Sequence, residues 1–221
     1  MALLRIMSIN LLVDRADPDD LRRVIGAADP DVLCAQELGE TCAGVVADLL
    51  PHGHLNPRDD LFGLGIATRH PVSVERLELP GRCGWAAQVV PDSWPGLTNP
   101  LDVVNVHLVN PIDRPWRSSR GQRRGQIAGV ASYLGRRGRA SIVIGDMNAS
   151  PAWREYKLLC DIGVDAARVT GTARRTWSHF VSGPRLLRID HAFIANARPI
   201  TTEAVPVRGS DHSALIVDIE V

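Results

Sequence analysis

The chain has 221 residues, 45% of them hydrophobic, which suits one sizeable domain with a well-filled core. Lysine plus arginine match aspartate plus glutamate at 25 each, so no global field draws the protein onto DNA or an anionic membrane, although a local groove can still be basic. No uncharged apolar stretch approaches the length of a membrane span, and four separated cysteines (Cys34, Cys42, Cys83 and Cys160) without a C-x-x-C pair read as reduced thiols of a cytoplasmic protein.

The first run, "MALLRIMSIN", carries Arg5 among its apolar residues and lacks a basic start or a small-residue cleavage site. It reads as a strand rather than a signal peptide. "DPDDLRRVIGAA" has an acidic first turn, Pro18 near the first helical position, and Leu21, Val24 and Ile25 on one face, which predicts an amphipathic helix. "DVLCAQ" is a buried strand, and "TCAGVVADLL" sets Val45, Val46, Leu49 and Leu50 at helical spacing. His52 and His54 in "PHGHLNPRDD" are expected in a loop. "GLGIAT", "VSVERLEL", "WAAQVVP" and "LDVVNVHLV" are further strands, with Val72, Val74 and Leu77 interleaved with polar residues as in a half-buried antiparallel strand.

"RSSRGQRRGQIAGVASYLGRRG" predicts a helix with Ile127, Val130, Ala131 and Leu134 together and arginines elsewhere around it. "ASIVIG" is a continuous apolar run, as in a buried central strand, and "PAWREYKLLCDIG" a short helix. "RIDHAFIA", "ITTEAVPV" and "ALIVDIEV" are the last strands. Strands outnumber helices and no linker divides the sequence, so residues 1–221 read as a single α/β domain, a mixed sheet system covered by helices.

The chemistry lies where the strands stop. "LRIMSIN" ends on Asn10, "DVLCAQE" on Glu37, and "VVNVH" on His107 with Asn110 three residues later. "IVIGDMN" supplies Asp146 and Asn148, "LRIDH" supplies Asp190, and "RGSDHSALIVDI" opens the last strand with Asp211 and His212. One such residue is ordinary turn chemistry, but six strand edges carrying only Asn, Glu, Asp and His suggest loops of one sheet edge holding functional groups. In "DMN" the spacing of two puts both side chains on one side if the backbone there is nearly extended.

Glu37 with one or two of Asp146, Asp190 and Asp211 offers hard oxygen ligands for Mg²⁺ or Mn²⁺. Two histidines, each near an acid, suit acid/base work or donation to a phosphate oxygen. Together they point to metal-assisted hydrolysis of a phosphate ester by in-line attack of an activated water.

In this order, "SIN", "AQE", "NVHL", "IGDMNASP", "RIDHAFIA" and "GSDHSAL" resemble the endonuclease/exonuclease/phosphatase superfamily, over nearly the whole chain from Asn10 to His212. The resemblance implies a four-layer α/β/β/α sandwich of two mixed β-sheets flanked by helices, with the site at one edge. By motif, Glu37 looks like the principal metal ligand, with Asn10 and Asp211 close by. Asp146 resembles the residue that orients or deprotonates the water, and Asn148 the one that holds the nucleophile or the phosphate. Asp190 and His212 look like an acid–imidazole pair on the scissile phosphate, and Asn110 and Arg123 like phosphate contacts. His107 falls where AP endonucleases carry tyrosine and where DNase-I-like and phosphatase branches carry histidine, which argues against an AP endonuclease.

Mg²⁺ or Mn²⁺ is the expected cofactor, a phosphorylated small molecule or a nucleic acid the expected substrate, and a monomer the expected state. The alternative within the superfamily is a DNA or RNA nuclease, which predicts a basic groove flanking Glu37, whereas a small-molecule phosphatase predicts a closed pocket. A non-catalytic module predicts lost site residues, yet every position is filled. A calcineurin-like metallophosphatase needs D-x-H and G-N-H-D, which are missing, and a metallo-β-lactamase motif fails at Asn56 and Pro57. The arginines of "DRPWRSSRGQRRGQ", including Arg123 beside Gln126, form either a substrate clamp or a solvated helix face. Trp116 is read as core, and Arg174, Arg175 or Trp177 as reaching a leaving group.

Overall fold

Alternating and continuous apolar runs build two six-stranded sheets. The computed structural model describes residues 2–111 and 116–221, without the side chains of 116–118. With strands numbered in chain order, one sheet runs β11 (Arg198–Pro206), β12 (Ser213–Glu220), β1 (Leu3–Asn10), β2 (Val32–Gln36), β4 (Leu64–Thr68), β3 (His52–Asn56). The other runs β5 (Ser73–Leu79), β6 (Arg82–Val89), β7 (Leu101–His107), β8 (Ala140–Asp146), β10 (Asp190–Ala195), β9 (Val164–Asp165). Among the described residues only β1·β2 and β7·β8 pair in parallel, so both sheets are mixed.

The sheets meet face to face through Leu4, Ile6, Val32, Cys34 and Val217 of the first and Val103, Ile142, Ile144, Ala192 and Ile194 of the second. Helices α1 (Pro18–Ala28) and α2 (Glu40–Leu49) cover the outer face of the first sheet, where Met7, Ile9 and Leu33 meet Leu21, Ile25 and Val46. Helices α3 (Trp116–Gly135) and α4 (Arg154–Cys160) cover the second, where Val104, Val143 and Phe193 meet Ile127, Val130 and Tyr156. The result is the four-layer α/β/β/α sandwich. Asp17 starts α1 by accepting from the backbone N–H groups of Asp19 and Asp20, with Pro18 at its first position.

Several local expectations change. His52 and His54 lie on edge strand β3, paired antiparallel with β4, where His54 packs against Trp85 at 4.1 Å between ring centroids. A polar, Gly-containing edge strand has no apolar alternation to reveal it. On α3 the buried face is Arg123, Gln126, Ile127, Val130 and Tyr133, while Ala131 is exposed. Leu49 of α2 faces solvent, and Leu50 caps its end. Trp116 has its side chain outside the described residues. The four cysteines are free thiols.

Toward one edge the layer between the sheets turns from apolar to polar. Behind that edge Asn105 of β7 donates to the carbonyls of Ala35 (3.0 Å) and Gly65 (2.8 Å) on the facing sheet. It also accepts from Gln36 Nε2 at 2.7 Å, and Gln36 hydrogen-bonds Ser8. All three side chains are buried, so each bond replaces one that water would have made. Replacing Asn105 by alanine removes the shortest of the Gln36 amide's three bonds and the side-chain donor to two carbonyls. Urea unfolding of Asn105→Ala should show a loss on the order of 3 kcal/mol; a loss under about 1 kcal/mol would mean the bridge carries little.

Candidate active site

Register sets the geometry. His107 on β7 and Asp190 on β10 both pair with Asp146 on β8. Neighbours across a sheet point to the same face, so the three side chains stand in a row between the sheets. On the facing sheet Asn10 ends β1 beside Gln36, and Glu37 follows with a left-handed backbone (φ 49°). Asp211 and His212 precede β12. Ser210 Oγ donates to the Asn10 carbonyl (2.7 Å) and accepts from the His212 N–H (3.0 Å), which fastens the last motif to the first strand.

Two devices hold the loops. Leu12, Val13 and Asp14 are all left-handed (φ 51°, 51° and 64°), a conformation costing non-glycine residues on the order of 1 kcal/mol each. Asp14 offsets this by accepting from the Thr41 and Cys42 N–H groups at the start of α2. Gly145 lets β8 approach β7 closely, since a Cβ there would lie 2.0 Å from the Val106 carbonyl oxygen.

The "DMN" turn is not extended. Asn148 is left-handed (φ 45°) and its N–H donates to Asp146 Oδ1 at 2.9 Å, so a tight Asx-type turn, rather than strand alternation, brings the two side chains together. Asn148 Nδ2 donates to the Leu108 carbonyl (2.9 Å), and its own carbonyl accepts from Arg123 Nη1 (2.7 Å). Arg123 is therefore neither solvated nor in the cavity: it is buried and braces the Asn148 turn from behind. Gln126 braces the neighbouring segment through Val109 N–H and the Pro80 carbonyl.

These elements enclose a cavity of about 290 Å³ faced by Glu37, His107, Asn110, Asp146, Asn148, Asp211 and His212. Asn10 and Asp190 stand behind it, each hydrogen-bonded to a residue that faces it. Asn10 Nδ2 bridges Glu37 Oε1 (3.1 Å) and Asp146 Oδ2 (3.2 Å), and its oxygen accepts from Leu12 N–H (3.0 Å). Asp190 Oδ2 lies 2.9 Å from His212 Nδ1, which leaves Nε2 facing Asp146 Oδ2 (3.8 Å) and Asp211 Oδ1 (3.9 Å).

The electrostatics follow from burial. Burial pushes the Glu37 carboxyl up despite the Asn10 hydrogen bond. Burial also pushes Asp146 up, to about 7, with the charge of His212 opposing it. Burial works against charge on His212, but Asp190 and Asp146 outweigh it and raise the imidazole to about 10. Burial drives His107 well below the usual histidine range, helped by Arg82 and His212. One imidazole is thus a cation and the other neutral.

Two buried carboxylate oxygens, Glu37 Oε2 and Asp211 Oδ1, have no hydrogen-bond partner among the described residues. Orphaned hard anionic oxygens fit a Mg²⁺ or Mn²⁺ ion. Asp146, Asp190 and His212 also cluster within 4.8 Å, but there Asp190 already engages the imidazole.

The sequence reading passed over Arg82, Trp153 and the apolar wall of Leu12, Leu61, Leu187 and Ile189, all of which line the cavity. The β6–β7 ladder sets Gly84 opposite Val106 and pairs Arg82 with no residue of β7, so strand pairing read from sequence would not have shown its contact with His107. Trp177 does line the cavity and donates its indole N–H to Asp211 Oδ2 (3.0 Å), whereas Arg174 and Arg175 are exposed away from it.

Residues 7–212 match the sequence profile of the Endonuclease/Exonuclease/phosphatase family. The chain belongs to that family. Endonuclease/exonuclease/phosphatase proteins are hydrolytic phosphoesterases, and the sandwich recurs in solved structures. The endonuclease/exonuclease/phosphatase from Beutenbergia cavernae DSM 12333 has a TM-score of 0.77 at 20% identity, over 100% of this chain and 72% of that one. D. rerio TDP2, humanized by 14 mutations, has a TM-score of 0.75 at 20% identity, over 99% of each chain. The 3′ phosphatase NExo from Neisseria, bound to product DNA hairpin, has a TM-score of 0.73 at 19% identity, over 97% of this chain and 98% of that one. A search of curated proteins finds no match. No helix among the described residues is long and apolar enough to cross a membrane.

The ion pair on His212 gives a direct check. In Asp190→Asn the strongest attraction holding the proton is gone, so His212 should titrate at lower pH than in the wild type when followed by NMR of the metal-free protein. An unchanged midpoint would show that Asp190 does not set the charge of that imidazole.

Proposed function

We propose that the protein is a divalent-cation-dependent phosphoesterase that hydrolyses a phosphate ester by in-line attack of water, and that it works as one domain, as a monomer, with Mg²⁺ or Mn²⁺. The observation that carries this reading is the pair of orphaned carboxylate oxygens, Glu37 Oε2 and Asp211 Oδ1, beside a charged His212 and a buried Asp146 in one cavity. A cation held by Glu37 and Asp211 supplies charge neutralisation for the phosphoryl oxygens.

The chain's own groups do the rest. Asp146, raised to about 7, is suited to accept the proton of the attacking water near neutral pH. His212, oriented by Asp190, donates Nε2–H to a phosphoryl oxygen and stabilises the charge that develops there. Asn10 is assigned the bridge that holds Glu37 and Asp146 together through Nδ2, with Leu12 N–H orienting its amide, whose oxygen keeps a lone pair for the cation. Asn148 and Asn110 border the place of the phosphate and nucleophile, and Arg123 is assigned to bracing Asn148 rather than to phosphate contact.

The substrate is an ester whose alcohol has an apolar or aromatic part, because Leu12, Trp153, Trp177, Leu187 and Ile189 wall the cavity. A nuclease is the second reading. It draws on the likeness to D. rerio TDP2, solved with a single strand DNA product, and to the Neisseria 3′ phosphatase. The free thiols support a cytoplasmic setting.

Turnover of p-nitrophenyl phosphate, its diester and oligonucleotides should require Mg²⁺ or Mn²⁺ and cease with EDTA. Asp146→Ala and His212→Ala should each lower kcat/KM by about 10²- to 10⁴-fold. Undiminished turnover after chelation, or in either variant, would overturn the assignment.

A further inference from the structure

Arg82 opens β6 and lines the cavity beside His107, yet the roles assigned above leave it out. One of its nitrogens, Nη1, lies 2.9 Å from the Leu61 carbonyl oxygen and 2.8 Å from His107 Nδ1. A guanidinium has no acceptor and keeps all its protons in proteins. Nη1 carries two hydrogens, and these two contacts use both. His107 Nδ1 is therefore the acceptor, and a neutral imidazole that accepts at Nδ1 carries its proton on Nε2.

The other side of the ring agrees. His107 Nε2 points to Asp146 Oδ2 (3.5 Å) and Glu37 Oε1 (3.8 Å), which are both acceptors. The Leu61 carbonyl is also within reach of Nδ1, but a proton there would meet the Arg82 Nη1–H group at 2.8 Å, donor against donor. His212 is partnered by an acid on its outer nitrogen, so the two histidines are wired in opposite senses.

We infer that Arg82 is a positioning residue that fixes His107 in its Nε2–H tautomer, so that this imidazole faces the substrate as a hydrogen-bond donor and not as a base. The catalytic consequence rests on the phosphoesterase reading, but the hydrogen bond does not. With Nε2 of His107 already carrying a proton, that ring cannot take a proton from water, which agrees with the role proposed for Asp146. Arg82 thereby keeps His107 from acting as the base without touching the reacting atoms.

The test is nitrogen NMR of protein labelled with ¹⁵N-histidine, with His107→Gln identifying the signals of that ring. The wild type should show a pyridine-type Nδ1 and a pyrrole-type Nε2. Arg82→Met, which removes the donor, should shift the ring toward the Nδ1–H form and lower kcat by about 10- to 100-fold with little change in KM. Arg82→Lys, which keeps a cationic donor, should restore much of both. A wild-type ring protonated at Nδ1, or a ring unmoved by Arg82→Met, overturns the inference, as does a rise in KM alone, which would make Arg82 a substrate contact. The wild-type spectrum decides the matter even if Arg82→Met fails to fold. Absence of turnover on every ester would count against the phosphoesterase reading while leaving the tautomer result standing.

Discussion

Asn105 holds the two halves of the site at a fixed distance. The site is split: His107, Asp146 and Asp190 end strands of one sheet, while Asn10, Glu37, Asp211 and His212 come from segments flanking the other. A purely apolar interface between sheets could slide by fractions of an ångström at little cost, because dispersion and hydrophobic contact are not directional. Directed bonds from Asn105 to the Ala35 and Gly65 carbonyls, and from Gln36 to Asn105, remove that freedom one layer behind the proposed catalytic groups. Glu37 follows Gln36, and His107 lies two residues beyond Asn105, so the same bridge positions a carboxylate on one sheet and an imidazole on the other.

The groups so positioned do not suit one another without a ligand. Four carboxylates, Glu37, Asp146, Asp190 and Asp211, converge on the imidazolium of His212, with the guanidinium of Arg82 near Glu37 and that of Arg185 near Asp211 and Asp190. Burial raises both Glu37 and Asp146, as expected where anions are desolvated together with too little compensating charge. Left-handed backbone at Leu12, Glu37 and Asn148 borders the same cavity, and Val13 and Asp14 continue it from Leu12. Strain and uncompensated charge concentrated in one place fit the proposed binding of a cation and a phosphoryl group.

The sequence displayed much of this because strand ends are where continuous apolar runs stop, and each stop carried a polar residue that could be read directly. The layer order came with the recognised motifs rather than with periodicity. What stayed hidden has local causes. Strand β3 is polar and lies at an edge, and β9 has two residues, too few for any pattern. Tyr133 replaces Ala131 on the buried face of α3 because the apolar stripe drifts around the helix. Asn148 joins Asp146 through a turn whose φ no spacing rule shows. Arg82 meets His107 through a side-chain hydrogen bond beyond the end of the β6–β7 ladder, and arginine in a hairpin reads as surface until that contact is seen.

The convergence of both sheets on one cation is tested most directly by the anomalous signal of Mn²⁺ in crystals of the protein. A single strong peak in contact with Glu37 Oε2 and Asp211 Oδ1 is the predicted result. A peak seated instead among Asp146, Asp190 and His212, or none at saturating Mn²⁺, would contradict it.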